Sequence, residues 1–264
     1  MLSTLRRASA ARSRRAAALL VAAAASLSGC VDGGTGFGLN LVSQEQLADM
    51  GRQSWEQITQ ETPSSRDATL NAAARNVSAR ILSAAGQNPQ QWEVRVFASP
   101  DANAFALPGN KIGVYEGLFR FAKNEDQLAA VIGHEVGHNL RQHAAERVST
   151  QLATEAGTQI LSSALALGGM GGAQEISALL GAGAQYGLIL PYSRNQELDA
   201  DRVGLELMAR AGYDPRQAVE LWRNMAQSGE RQPEFVSTHP GPENRIRQLE
   251  ALMPEALAIY RSSR

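Results

Sequence analysis

The stretch from Ala129 to His143 concentrates histidines around one acidic residue. Its sequence, AAVIGHEVGHNLRQH, holds three of the four histidines in this 264-residue chain. On a helix, His134 and His138 project from the same face because they lie four residues apart. Glu135 lies about 100° around the helix from His134, where it can reach a metal-bound water without being a ligand. The H-E-x-x-H pattern therefore predicts a zinc site, with an ordinary helix carrying solvated histidines as the alternative.

The third zinc ligand has to come from outside this stretch. On a continuous helix His143 points about 140° away from His138, so we expect it to be structural or solvent-facing. One class of zinc proteases extends the pattern to H-E-x-x-H-x-x-G-x-x-H. Here Arg141 and Ala144 occupy the positions that the glycine and the third histidine would need.

A second acidic helix, predicted in residues 191–215, offers the missing ligand. Ser193 and Gln196 match a capping box at its start, and Glu197 and Asp201 lie four apart on one face. We predict Glu197 as the third ligand of one zinc ion per chain, with a fourth position open for water. We predict Asp201 as the carboxylate that orients a metal-bound histidine. A solvated acidic helix is the alternative.

Four blocks of the sequence carry a resemblance to metallopeptidase family 48. They are NAFALPGNKIGVYEGL, HEVGH, ELDAD and STHPGPENRIRQL, within roughly residues 45–255. Among the members of that family, the chain most resembles the periplasmic lipoprotein proteases. The resemblance implies a zinc endopeptidase that degrades unfolded or misassembled envelope proteins, with the outer-membrane assembly machinery as a partner. The alternative is a zinc-stabilised, proteolytically latent chaperone or assembly factor for outer-membrane proteins.

The same resemblance implies roles for residues outside the zinc motifs. Asn103, Ala104 and Phe105 would lie on an edge strand that pairs with an extended substrate. His239 would be catalytic, donating to the oxyanion that forms when water attacks the peptide carbonyl. From the residues alone, Phe105 could equally be a core residue, and His239 could be a histidine of a surface loop.

Residues 1–29 have the composition of a targeting segment. They contain five arginines and no acidic residue, followed by an apolar run that ends in LSGC. This pattern resembles a lipoprotein signal peptide with Cys30, the only cysteine, as the lipidated residue. Because Val31 rather than aspartate follows Cys30, we predict a lipid anchor in the outer membrane, facing the periplasm. A mitochondrial presequence and a plain secretory signal are the alternatives.

The rest of the chain is predicted to be one catalytic domain. Residues 30–44 are a glycine-rich tether, and residues 45–264 form the zinc metalloprotease domain. The chain has 25 basic and 26 acidic residues, and five of the arginines precede residue 30. The domain is therefore mildly acidic, and nothing in it indicates nucleic-acid binding.

The predicted fold is α+β, a mainly helical zincin-type (gluzincin) domain with a small sheet and an edge strand beside the zinc helix. Residues 91–99 alternate apolar and polar side chains, as a strand does. The zinc helix is expected to run from the cap at Asn124 to about Val148. Residues 156–174 and 176–193 are uncharged, and we expect them to cover the cleft rather than to span a membrane.

Overall fold

The computed structural model describes residues 41–153, 192–227, 233–239 and 242–263. The helices of these residues are α1 (Gln44–Glu61), α2 (Ala68–Ala84), α3 (Glu125–Leu140), α4 (143–153), α5 (Arg194–Arg210), α6 (Arg216–Ala226), α7 (Glu234–Thr238) and α8 (Pro242–Ser262). The strands are β1 (Glu93–Phe97), β2 (Ala104–Leu107) and β3 (Lys111–Tyr115). The predicted mainly helical domain with a small sheet is confirmed.

The sheet has the order β1-β3-β2, so β2 is an edge strand. β3 pairs with β1 in parallel and with β2 antiparallel. The Tyr115 N–H donates to the Asn103 carbonyl. In an antiparallel ladder only every second residue of a strand bonds to its neighbour, so the peptide groups of Ala104 and Ala106 point away from β3. The outward Ala106 N–H donates to Glu135 Oε2 over 3.3 Å. The edge of β2 therefore faces α3, as predicted.

Glycines bring α3 and α5 into backbone contact. A Cβ on Gly204 of α5 would lie 2.7 Å from the backbone nitrogen of His134, and one on Gly133 would lie 2.8 Å from the Gly204 carbonyl oxygen. Both distances are too short for a side chain, so alanine at either position would force the helices apart. This close approach sets Glu197 of α5 beside the histidines of α3.

The main core lies between the helices and one face of the sheet. Its largest fully buried side chains include Ile81, Leu82, Ile112, Leu118, Leu128, Ile132, Met208 and Leu221. A smaller aromatic cluster of Trp55, Phe97, Phe105 and Tyr115 packs under α1. Phe97 and Phe105 contact each other and the other two rings, with centroids 5.4–6.2 Å apart. Both faces of the sheet are therefore covered, and the edge of β2 is the part that borders the site.

The zinc helix is shorter than the sequence predicts. α3 ends at Leu140 instead of near Val148, because Gln142 adopts a left-handed conformation with φ of 55°. A residue in that conformation cannot continue a right-handed helix. The chain turns and begins α4 at His143, so the helical angle used to orient His143 does not apply.

Several predicted features lie outside the described residues. They are the targeting segment with Cys30, residues 30–40 of the tether, and nearly all of the uncharged segments 156–174 and 176–193. In the part of the chain that is described, no helix has the length and apolar composition needed to cross a bilayer.

Candidate metal centre and active site

Helix α3 carries His134, Glu135 and His138 in its last two turns. Asn124 caps the start of the helix, and its side chain accepts a hydrogen bond from the Gln127 N–H. All three site residues are buried, with at most 3% of their surface exposed. Because both histidines lie on the face that packs on α5, their rings are turned toward the interior.

Four side chains bring their donor atoms together at this face. His134 Nε2 and His138 Nε2 are 3.0 Å apart, and His239 Nδ1 lies 2.9 Å from Glu197 Oε1. One donor atom from each of the four residues lies within 4.8 Å of the other three. The predicted ligands His134, His138 and Glu197 are thus brought together, with His239 as a fourth donor.

The protonation states suit a metal ion. Burial lowers the pKa of His134 well below its usual value and that of His138 to about 3, so both rings are neutral. Burial alone would raise the pKa of Glu197, but hydrogen bonds with His138 and His239 hold it well below the usual range. Neutral imidazoles and an ionised carboxylate are the forms in which these groups bind metals.

The outer nitrogens of the two α3 histidines also have partners. His134 Nδ1 lies 3.0 Å from Asp201 Oδ1, a contact of the kind that would orient a metal ligand. His138 Nδ1 lies 2.9 Å from His143 Nδ1. His143 is 5% exposed, so the solvent-facing interpretation is wrong.

Glu135 lies between the histidines and the edge strand. Its Oε2 accepts the Ala106 N–H, and its Oε1 lies 3.4 Å from His239 Nε2 and has no hydrogen-bond partner among the described residues. Burial raises the pKa of Glu135 to about 7. A carboxylate with one free buried oxygen is suited to accept a proton from a bound molecule.

A cleft of about 520 Å³ opens in front of Glu135 and His239. The predicted substrate contacts Asn103, Ala104 and Phe105 all line it. Phe105 also packs against Trp55, so it is both a core residue and part of the wall. The remaining lining residues come mainly from α1 and α7 and include Ile58, Glu61, Tyr115, Arg147, Tyr192 and Glu234.

Arg245 of α8 is a site residue that the sequence analysis did not identify. It is 2% exposed, donates to Asp201 Oδ2 over 2.7 Å and to Glu197 Oε2 over 2.5 Å, and stacks on the Trp222 ring. One sequence signal could have suggested that Arg245 faces inward. It lies four residues before the buried Leu249, and residues four apart share a face of a helix.

Tyr192 is a second residue that the sequence analysis missed. Its ring stacks on His138 with centroids 3.8 Å apart. It immediately precedes the cap of α5, where Ser193 and Gln196 form the predicted capping box. The position carries no periodicity signal, because Tyr192 lies outside any described helix or strand.

The donor atoms, their buried outer partners and the free oxygen of Glu135 fit a bound metal ion. Together with the helix-and-edge-strand architecture, they define a metallopeptidase of the zincin type. Residues 66–253 match the model described as Peptidase family M48, and the chain belongs to that family. The family predicted from the four sequence blocks is therefore confirmed.

Named relatives share the peptidase region. The chain is 36% identical over 225 residues to the mitochondrial metalloendopeptidase OMA1 of Schizosaccharomyces pombe, covering 82% of this chain and 64% of that protein. It is 39% identical over 173 residues to the Arabidopsis thaliana protein of the same name, covering 64% and 34%. It is 29% identical over 221 residues to the beta-barrel assembly-enhancing protease of Escherichia coli K12, covering 81% and 45%. The chain thus spans about a third to two thirds of these relatives.

The predicted location in a bacterial outer membrane is wrong. Relatives from fission yeast, Arabidopsis thaliana, budding yeast and cattle are named as mitochondrial proteins, and no finding supports the lipoprotein branch of the family. The error has a physical origin, because an arginine-rich segment without acids is common to bacterial signals and mitochondrial presequences. Composition alone does not separate the two.

Proposed function

We propose that this protein is a zinc-dependent endopeptidase that hydrolyses peptide bonds in unfolded or misassembled polypeptides. The observation that carries the proposal is Glu135, which lines the cleft beside the histidine and carboxylate donors and has one oxygen without a hydrogen-bond partner among the described residues. The edge of β2 forms the wall of the same cleft. A proton acceptor, a metal site and a strand edge for the substrate are therefore combined in one place.

His134, His138 and Glu197 would hold one zinc ion, and Asp201 would keep the His134 ring in the orientation for binding. This assignment is supported by the 3.0 Å contact between His134 Nδ1 and Asp201. When bound, zinc supplies a Lewis acid that activates water and polarises a peptide carbonyl. Choosing zinc over other metals is supported by the two-histidine, one-glutamate donor set, which is common in catalytic zinc sites.

The residues of the chain would carry out the other steps. An extended peptide would pair with the outward peptide groups of β2, contacting Asn103, Ala104 and Phe105. Glu135 would take a proton from the attacking water and pass it to the leaving amine as the peptide bond breaks. His239 would donate from Nε2 to the oxyanion, because its Nδ1 faces Glu197.

A latent form is the second candidate, and one observation favours it. His239 Nδ1 lies 3.3 Å from His134 Nε2, within the donor set. Four protein donors would complete a tetrahedral site and leave no position for water, as in structural zinc sites. In that case the protein would be a zinc-stabilised chaperone or assembly factor with suppressed peptidase activity.

The proposed function predicts metal-dependent cleavage of an unfolded substrate. Purified protein should bind about one zinc per chain and digest casein. Chelation should remove both properties, and added zinc should restore them. Glu197→Ala should contain little zinc, whereas Glu206→Ala, on the exposed side of the same helix, should keep it. Casein cleavage that survives complete metal removal would rule out this function.

His239→Ala distinguishes the two candidates. If His239 stabilises the oxyanion, turnover should fall by roughly 10²- to 10³-fold, the range for one such donor, with the zinc content unchanged. Rates on a fluorogenic peptide and metal analysis of the same sample provide the measurement. A turnover rate that rises after the substitution would instead support the latent form.

A further inference from the structure

One end of the cleft is lined by acidic side chains. Glu61 at the end of α1 and Glu234 at the start of α7 both line it, together with Tyr115. Burial, together with the charges of Glu234, Asp101 and Glu61, raises the pKa of the Tyr115 hydroxyl. In the described parts of the chain, none of the three forms an ion pair with lysine or arginine.

This acidic end has a defined position relative to the reacting groups. Glu234 lies beside the residues that precede β2, because the N–H of the neighbouring Phe235 donates to the Ala102 carbonyl over 2.9 Å. Asn103 immediately precedes β2, and its Oδ1 accepts the Ala104 N–H. Ala106, which donates to Glu135, is three residues further along the strand. Three residues of extended chain span about 10 Å. A peptide paired with β2 would therefore bring a side chain about three positions from the scissile bond to the acidic end.

An independent observation indicates that the cleft takes a polar ligand. Glu135 is 3% exposed and lines the same cavity, and its Oε1 has no hydrogen-bond partner among the described residues. A buried carboxylate oxygen without a partner is costly unless a bound molecule satisfies it. The cavity of about 520 Å³ is large enough for several residues of a peptide.

The walls of the acidic end suit a long side chain with a terminal charge. Ile58, Phe105 and Tyr115 line the cleft and would contact the methylene groups of such a side chain. The carboxylates of Glu61 and Glu234 lie at exposed positions, where they would meet the charged group. Lysine and arginine combine an apolar stem with a charged end in this way.

We propose that this end of the cleft is a subsite for a lysine or arginine side chain of the substrate, two to four residues from the cleaved bond. The inference rests on the proposed peptidase function, because it assumes that a peptide lies along β2. It adds a preference in the substrate class: unfolded segments with a basic residue near the cleavage point would be favoured over neutral or acidic ones.

Peptide binding to zinc-loaded Glu135→Gln protein tests the subsite without requiring turnover. Labelled peptides would carry lysine, or glutamine as its neutral counterpart, at each position up to four residues on either side of a fixed central bond. On one side of that bond, at a position two to four residues from it, peptides with lysine should bind roughly three- to tenfold more tightly than peptides with glutamine. This is the effect expected of two partly screened charge pairs. The preference should weaken in high salt.

Two variants in the same background provide the comparison. Glu61→Gln combined with Glu234→Gln should reduce the lysine preference to about one, whereas Glu56→Gln, an exposed position of α1 outside the cleft lining, should retain it. Equal binding of lysine and glutamine peptides, or a preference that persists in the double variant, would overturn the subsite. Failure of wild-type protein to cleave any peptide would count against the peptidase function alone, because the binding comparison does not need cleavage.

Discussion

Glu135→Gln is expected to lower the rate of peptide hydrolysis by about 10²- to 10⁴-fold, the range for loss of a general acid–base catalyst. Glutamine has nearly the same shape as glutamate, and its amide oxygen can still accept the Ala106 N–H that now bonds Glu135 Oε2. An amide cannot take a proton from water at neutral pH. The fold and the metal content should therefore be preserved while the chemical step is lost.

The measurement is casein or peptide cleavage by zinc-loaded wild type and variant, with metal content determined on both. Glu125→Gln is the matched control, because Glu125 lies on the same helix at an exposed position of its first turn. That control should cleave at close to the wild-type rate. Equal cleavage by Glu135→Gln and wild type would exclude Glu135 as the proton acceptor and with it the proposed mechanism.

Arg245→Met is expected to lower the free energy of unfolding of the metal-free protein by about 3–5 kcal/mol, the usual cost of removing one partner of a buried ion pair. Arg245 is 2% exposed and is the cation between the buried carboxylates of Glu197 and Asp201. Methionine fills similar space without a charge, so both acids would remain buried with less compensation. Bound zinc should offset part of the loss, because it places positive charge beside Glu197.

Urea unfolding with and without zinc measures this effect. Arg223→Met is the control for loss of an exposed arginine, because Arg223 pairs with Glu220 and Glu250 at the surface. This substitution should lower the free energy of unfolding by only about 0–1 kcal/mol. Arg245→Lys should have a free energy of unfolding between those of wild type and Arg245→Met. Lysine keeps the charge but lacks the planar guanidinium that reaches both acids. A change below about 1 kcal/mol in Arg245→Met would show that the pair is not needed for stability.

The sequence by itself determined the features that depend on local spacing. A four-residue separation on a helix places His134 beside His138 and Glu197 beside Asp201 whatever the rest of the fold does. The capping box of α5 was predicted correctly, because Ser193 and Gln196 lie within one helical turn of each other. Strand β1 falls within residues 91–99 for the same reason, since alternation with period two is a local property.

The tertiary structure decided what depends on residues far apart in the chain. His143 contacts His138 because one residue, Gln142, adopts a left-handed conformation whose position could not be deduced from helical periodicity. Arg245 reaches His134 across 111 positions, and its helical spacing to Leu249 does not show that its guanidinium enters the site. Only the packing of α8 on α5 brings it there.

The acidic end of the cleft was decided in the same way. Glu61, Asp101 and Glu234 come from three separate parts of the chain, each an ordinary exposed acid in its own segment. Glu61 and Glu234 line one cavity because the fold brings the end of α1 and the start of α7 to the same cleft. Spacing along a helix or strand is set by backbone geometry, but the meeting of distant segments is set by the burial of their side chains, which is a property of the whole fold.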